Sequence, residues 1–437
     1  MRTKLFVAAS AAAMAAPVQS VVLEQTEQRT IEANLEAMAG YFSASEDYLA
    51  EGGKDWQEAY ATGTVVVDQK LANESSLYGG LGAIALGTFG DGDAAGFTTG
   101  DESDVDLENA YLGWRDREGI LDVSVGRQRF QLGDGFLIAG DVISLGEGLD
   151  PLGVDVDRGG AYYLAGRKSF SNTAIFQYDP AGNLRSDLFW LQSDNPYQQD
   201  TELAGLNLEW VDDSLGTLGL NYLHVLDLDQ GANLALWDQR EGMDVVSVRG
   251  QGSLGIEDLL VSFEYVDQSG GDTSVENDAQ AWYLETGWTF SELPWAPAIN
   301  LRYATFSGDE ADTSDNEAFD PLFFGFTRGF GTWFQGEVAS NYAGPANSGN
   351  DVKRVEVTFA PRADLQVGAQ FWDFSSNDDA PDLDGQEIDL YALWSINEQF
   401  VFSPLVGWYK PEGDDVEANQ GNDDPNLYLQ AVLMYFY

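Results

Sequence analysis

Residues 126–136 read GRQRFQLGDGF. Arg127 and Arg129 stand two apart beside a Gly-Asp-Gly turn, in a chain with 21 Lys+Arg against 73 Asp+Glu. A guanidinium is always charged, and its planar fork matches carboxylate oxygens in pairs. Arginines recur in three other stretches: Arg249 in DVVSVRG, Arg302 in INLRYATF and Arg354 in VKRVEVTF. Side chains alternate between faces along a strand. Val246 and Val248, Leu301 and Tyr303, and Val355, Val357 and Phe359 therefore mark one face. Arg249, Arg302, Arg354 and Glu356 fall on the other. Glu264 in LLVSFEYV and Glu285 in AWYLETGWTF share that polar face, placed to fix the arginine side chains. Two chemistries fit. Each arginine neutralises a neighbouring carboxylate, or together they form a positive lining that passes anions, as rings of arginine do in pores.

The opening stretch departs from the alternation. Val123 and Val125 in LDVSVGRQRF share parity with Arg127 and Arg129. Strict alternation would put both arginines on the apolar face. Either a bulge at Gly126 turns the strand over, or the strand has left the apolar band by Arg127.

The elements that must carry these residues are strands. The last twelve residues, NLYLQAVLMYFY, alternate with period two up to a terminal aromatic. EIDLYALW, LLVSFEYV and AWYLETGWTF do the same, with one apolar face ending in aromatics and one face of charge and glycine. That is the lipid-out, polar-in pattern of an outer-membrane barrel with aromatic girdles. A final strand with an aromatic end is what the barrel-assembly machinery reads. Short connections, PRAD (361–364), SINEQ (395–399) and DDSLG (212–216), alternate with long acidic ones at 308–320, 377–386 and 411–426. Barrels place short turns in the periplasm and long loops outside. The phasing makes 308–351 a single long outside loop, with 332–340 part of it. At roughly 23 residues per strand and connection, the chain predicts a transmembrane antiparallel up-and-down β-barrel of about 18 strands, with 16 as the alternative, an all-β fold. A barrel of that size holds an open lumen.

The first residues, MRTKLFVAASAAAMAAPVQS, have a positive start and a short apolar run, as secretory signals do. The expected division is a signal at 1–20 and a barrel at 21–437, located in the bacterial outer membrane. No cysteine is present, which excludes thiolate chemistry. A net charge of −52 leaves no basic face for nucleic acid. Lipid and lipopolysaccharide are the expected surroundings.

GRQRFQLGDGFL, with NAYLGW (109–114) before it and FDPLFFGF (319–326) after it, resembles the alginate-export family of outer-membrane proteins. The resemblance implies a monomeric 18-stranded barrel with an arginine-rich pore that conducts a polyuronate or similar anion. It makes Arg127 and Arg129 pore residues and 319–335 part of a constricting loop. In that loop Phe323, Phe324, Phe326, Arg328 and Trp333 either narrow the mouth, where aromatic faces suit sugar rings, or pack the loop against the wall. The expected function is a passive channel for anionic saccharides or other small anions. A general or neutral-solute porin is one alternative, and a barrel enzyme or adhesin without a conducting pore is the other.

No cofactor is expected beyond weak Ca²⁺ on acidic loops, with Asp382, Asp384 and Glu387 of PDLDGQE as candidate ligands. The one histidine, His224 in LNYLHVLD, shares a face with Leu218, Leu220 and Tyr222, so no enzyme is expected.

Overall fold

The computed structural model describes residues 20–437 apart from 51, 230–235, 272, 274, 311–312, 326–335, 343–347, 378–381 and 383. Nineteen strands follow one another: β1 Val21–Gln25, β2 Arg29–Ala44, β3 Lys54–Lys70, β4 Ser76–Gly90, β5 Asp101–Arg115, β6 Leu121–Arg129, β7 Ser169–Tyr178, β8 Leu184–Gln192, β9 Glu202–Asp212, β10 Gly216–Asp227, β11 Met243–Gly252, β12 Leu259–Gly270, β13 Asn277–Thr289, β14 Ala298–Phe306, β15 Asn350–Arg362, β16 Leu365–Ser376, β17 Gly385–Ser395, β18 Phe400–Pro411 and β19 Asn426–Phe436. Each of β2–β19 pairs antiparallel with its neighbours, and β19 returns to β2 with Tyr428 opposite Ala44 and Phe436 opposite Glu36. Eighteen strands thus close a barrel, as the sequence predicts. Closure of β2 on β19 removes the open edges of the wall, a condition for a sheet in lipid. The short β1 pairs with the lower end of β2, where β19 has run out.

Short and long connections alternate along most of the chain, the exception being 271–276, which is as short as the turns 253–258 and 290–297 on either side of it. Residues 71–75, 116–120, 179–183, 213–215, 363–364 and 396–399 make tight turns at one rim. The opposite rim carries the longest connections, 130–168 and 307–349. Loop length assigns the first rim to the periplasm and the second to the exterior.

Outward positions are apolar, as with Leu427, Leu429 and Leu433 on β19, Leu284 and Trp288 on β13, and Leu218, Leu220 and Tyr222 on β10. Inward positions change character with depth. On β11, Met243 and Val245 near the exterior give way to Ser247 and Arg249. On β12, Val266 gives way to Glu264 and Ser262; on β15, Val352 gives way to Arg354, Glu356 and Thr358. The apolar level is where the two long loops fold inward and bury Phe136, Leu137, Ile138, Phe323 and Phe324. Each such side chain contributes roughly 1.5–3 kcal/mol by leaving water. The core of this protein therefore lies inside the barrel.

The loops also pair with each other. Ile138 and Phe323 form a parallel bridge. The Ala139 amide donates to Phe323 O at 2.8 Å, that of Phe323 to Leu137 O at 3.1 Å, and that of Gly325 to Gly135 O at 3.0 Å. A second aromatic group crosses the closing seam. Phe42 stacks on Trp56 at 5.3 Å, Trp56 meets Tyr163 at 5.0 Å, and Tyr163 lies over Tyr428 of β19 at 6.3 Å.

Candidate functional site: charged groups around β6

Gly126 kinks β6. Its φ is +121°, a region that side chains avoid. The pairing with β7 slips between Gly126, opposite Thr173, and Gln128, opposite Phe170, a β-bulge whose extra residue lies on β7. Before it, Val123 and Val125 point outward, exposed at 37% and 51%. After it, Gln128 donates to Ser124 Oγ at 3.0 Å and Thr173 Oγ1 at 2.7 Å on the inner face. Arg127 reaches inward to an ion pair with Asp194, in the 193–201 loop. Arg129 donates to Gln131 Oε1 at 2.5 Å and stays exposed. The charges of Glu36 on β2 and Glu108 on β5 act on it. Because β3–β5 separate β2 from β6 along the wall, the coupling to Glu36 runs across the lumen.

The loop that follows adds cations that strand phasing missed. Arg167 donates to Asp106 Oδ2 at 2.7 Å and Asp104 Oδ2 at 3.1 Å, both on β5, and to Arg158 O at 3.0 Å. Arg158 donates to Asp141 O at 3.1 Å, Ile143 O at 3.0 Å and Asp194 Oδ1 at 3.4 Å. Lys168 Nζ lies 2.6 Å from Glu36 Oε1. Arg158 and Arg167 are buried, and of their acids Asp141 is buried too while those of Arg167 are wet: Arg167 is 4% exposed, Asp104 48% and Asp106 46%. Asp104, Asp106, Asp157, Arg158, Arg167 and Asp194 line a pocket of about 190 Å³. The segment DRGGAYYLAGRK (157–168) carries the signal that was missed, cations set between glycines in an apolar stretch with no period of two.

Arg249, Arg302 and Arg354 point inward lower down, where they are tied to the wall. Arg249 donates to Asn207 Oδ1 at 2.8 Å and pairs with Glu209. Gly133 of the inward loop rests on it, so close that a Cβ there would lie 2.8 Å from Arg249 Nε. Arg302 stands opposite Glu285 in the ladder and 5.4 Å from the Trp372 ring. Arg354 donates to Asn300 Oδ1 at 2.7 Å, with Glu285 at 3.5 Å and Glu356 at 3.6 Å. Glu264 accepts from Ser247 Oγ at 2.6 Å, and Glu356 accepts from Tyr391 OH at 2.7 Å. Buried charges are tolerated when paired and hydrogen-bonded, and these are. They form a neutralised belt, apart from the β6 group.

Phe323 and Phe324 lie on the inward loop, and Phe323 meets Phe170 at 4.7 Å. Phe326, Arg328 and Trp333 lie outside the described residues. Asp382, Asp384 and Glu387 do not share a site. Asp382 Oδ2 accepts from the Asp414 amide at 3.2 Å, and Asp384 Oδ1 from the Ser376 amide at 2.6 Å. Glu387 faces the lumen and accepts the amides of Glu337 at 2.8 Å and Ala339 at 2.7 Å. Among the described residues no group of acids and histidines is arranged to hold a metal ion. His224 sits on the outer face with Nδ1 2.8 Å from Asp244 Oδ1, and Tyr222 donates to the same oxygen at 2.6 Å.

Solved structures share this architecture at low sequence identity. A BenF-like porin from Pseudomonas fluorescens Pf-5 is 10% identical, with a TM-score of 0.60 over 93% of this chain and 98% of its own. OccK5 (OpdH) of Pseudomonas aeruginosa is 9% identical, with a TM-score of 0.57 over 93% and 97%. The outer-membrane protein OprD of Pseudomonas aeruginosa is 12% identical, with a TM-score of 0.55 over 96% of each chain. No curated protein sequence matches. Residues 67–391, well over half of the chain, match the Alginate export family. With its β6 arginines turned into a closed barrel and the described segments 135–139 and 319–325 folded inside, the protein belongs to the alginate-export family and is a porin-like β-barrel of the bacterial outer membrane.

Proposed function

We propose that this barrel is a passive channel for small hydrophilic anions, of the uronate-sugar class, and that Arg129 is the group a solute carboxylate meets. One observation carries the reading. Arg129 is exposed on the lumen side, and among the described residues its guanidinium takes part in no ion pair. Arg127, Arg158 and Arg167 stand nearby but are engaged by aspartates, so they contribute field more than contact. Facing groups of opposite sign also hold a hydroxyl-rich solute, because sugar hydroxyls both donate and accept. The inward loops favour a short solute over a threaded polymer. The expected setting is a monomer in lipid and lipopolysaccharide.

A second reading, preference for neutral or cationic solutes, draws on the exposure of Asp104, Asp106 and Asp194. The reversal potential of purified protein in a planar bilayer under a salt gradient separates the two. Anion preference that shifts with added oligouronate and weakens in Arg129→Glu is expected. Cation preference would favour the second reading, and absence of any current would end both.

A further inference from the structure

Arg240 lies at the inner end of the exterior loop 228–242, and its side chain is wholly buried. Its guanidinium grips Asp320 with two bonds, Nε to Oδ2 at 2.7 Å and Nη2 to Oδ1 at 2.7 Å. Nη1 donates to Gln198 Oε1 at 2.9 Å and Thr201 Oγ1 at 3.0 Å, both in the 193–201 loop. The Trp237 ring lies 4.6 Å from the guanidinium carbon. Asp320 is the point at which the loop 307–349 turns into the lumen. Gln268 of β12 holds its backbone on both sides, donating to Asp320 O at 2.7 Å and accepting from its amide at 2.9 Å. Asp320 Oδ1 also accepts the Leu322 amide at 2.7 Å, and Gln198 Nε2 donates to Leu322 O at 3.1 Å. Immediately beyond come Phe323 and Gly325, the residues bonded to Leu137, Ala139 and Gly135 of the other inward loop.

We infer that Arg240 is a positioning residue for conduction: from an exterior loop it latches the inward segment 319–325, and with it the loop that carries Arg158 and Arg167, in the narrowed arrangement. A bidentate, buried pair suits such a part. Removing one partner leaves the other charged and stranded, so the latch has a held state and a released state with little between. Asp320 belongs to the FDPLFF stretch, whose aspartate thus serves as the catch.

The inference rests on the channel reading, so two readouts are needed. Hydrogen exchange of full-length protein in lipid vesicles measures the latch without any current. In Arg240→Ala and Asp320→Asn, peptides covering 319–325 and 135–139 should exchange severalfold faster while wall strands keep wild-type protection. Arg240→Lys should fall between, because one ammonium cannot hold Asp320, Gln198 and Thr201 together. Gln268→Ala, which spares the ion pair, should act in the same direction more weakly and serves if the charge variants do not fold. Single-channel recording should then show higher conductance that flickers among levels. Wild-type exchange at 319–325 in folded variants overturns the latch, as does faster exchange with unchanged conductance in a conducting protein. Faster exchange in a protein that never conducts leaves the latch standing and removes the channel.

Discussion

Gly126→Ala tests the bulge on which the β6 arginines depend. A side chain at φ +121° costs on the order of 1–3 kcal/mol in backbone strain. The new Cβ would fall 2.3 Å from Ala110 O and 2.9 Å from Tyr111 Cα. Both are backbone atoms of β5, so relief requires the ladder itself to move. Relaxing φ to the ordinary extended range would restore strict alternation and return Arg127 and Arg129 to the lipid face. That costs up to about 2–4 kcal/mol for each at mid-depth, more than the strain it removes. The bulge should therefore persist, and the variant should lose about 1–3 kcal/mol of unfolding free energy with its arginines still inside. Urea unfolding in lipid vesicles, followed by tryptophan fluorescence, measures the loss. Gly63→Ala is the control, since a Cβ there meets nothing within 4 Å. If Gly126→Ala matches wild type while Gly63→Ala does too, the bulge is not strained and the argument from φ fails.

Arg354→Ala strips Glu285 and Glu356 of a buried partner and should cost about 3–5 kcal/mol in the same assay. Adding Glu285→Gln should recover part of the loss, and no recovery would mean that the pairing is incidental. Asp93, buried in the exterior loop 91–100, has its carboxyl pushed above the usual range by burial, against the Thr98 and Phe97 hydrogen bonds that pull it down. A carboxyl raised in the folded state contributes stability that is full below its unfolded value of about 4 and is lost as pH rises through its folded value. Hydrogen exchange in residues 91–100, corrected for intrinsic rates, should therefore rise from about pH 4 to pH 7 in wild type and less so in Asp93→Asn. Parallel pH profiles in the two proteins would contradict this.

The wall was readable because each strand repeats one rule. Leu427, Leu429 and Leu433 need lipid, Tyr428 and Val432 need the interior, and turn lengths then fix direction. The interior was harder, because a loop that packs inside a barrel looks like a strand in composition. FLIAGDVISL (136–145) is buried throughout without pairing to the wall as a strand. Bulges added to the difficulty. The slip in the β4–β5 pairing near Leu107 reverses parity on β5, and at Gly126 a positive φ breaks the alternation of β6 without adding a residue to it. The arginines on regular strands, Arg249, Arg302 and Arg354, could be phased. Arg158, Arg167 and Arg240 could not, since their direction depends on how loops fold onto one another. Their neighbours in sequence say little about neighbours such as Asp104, Asp194 and Asp320.

The aromatic group at the seam bears on how the chain reaches this state. Phe42 and Trp56 come from the first barrel strands, Tyr163 from the inward loop and Tyr428 from the last strand. Contacts between the two ends of a chain are the slowest to form. Tyr428 cannot meet Tyr163 until β19 has found β2, so the interior is completed only after the wall is closed. An unclosed sheet leaves these rings without their last partner and the inward loops without a floor. Filling is thereby tied to closure, and a barrel open at the seam lacks a finished interior.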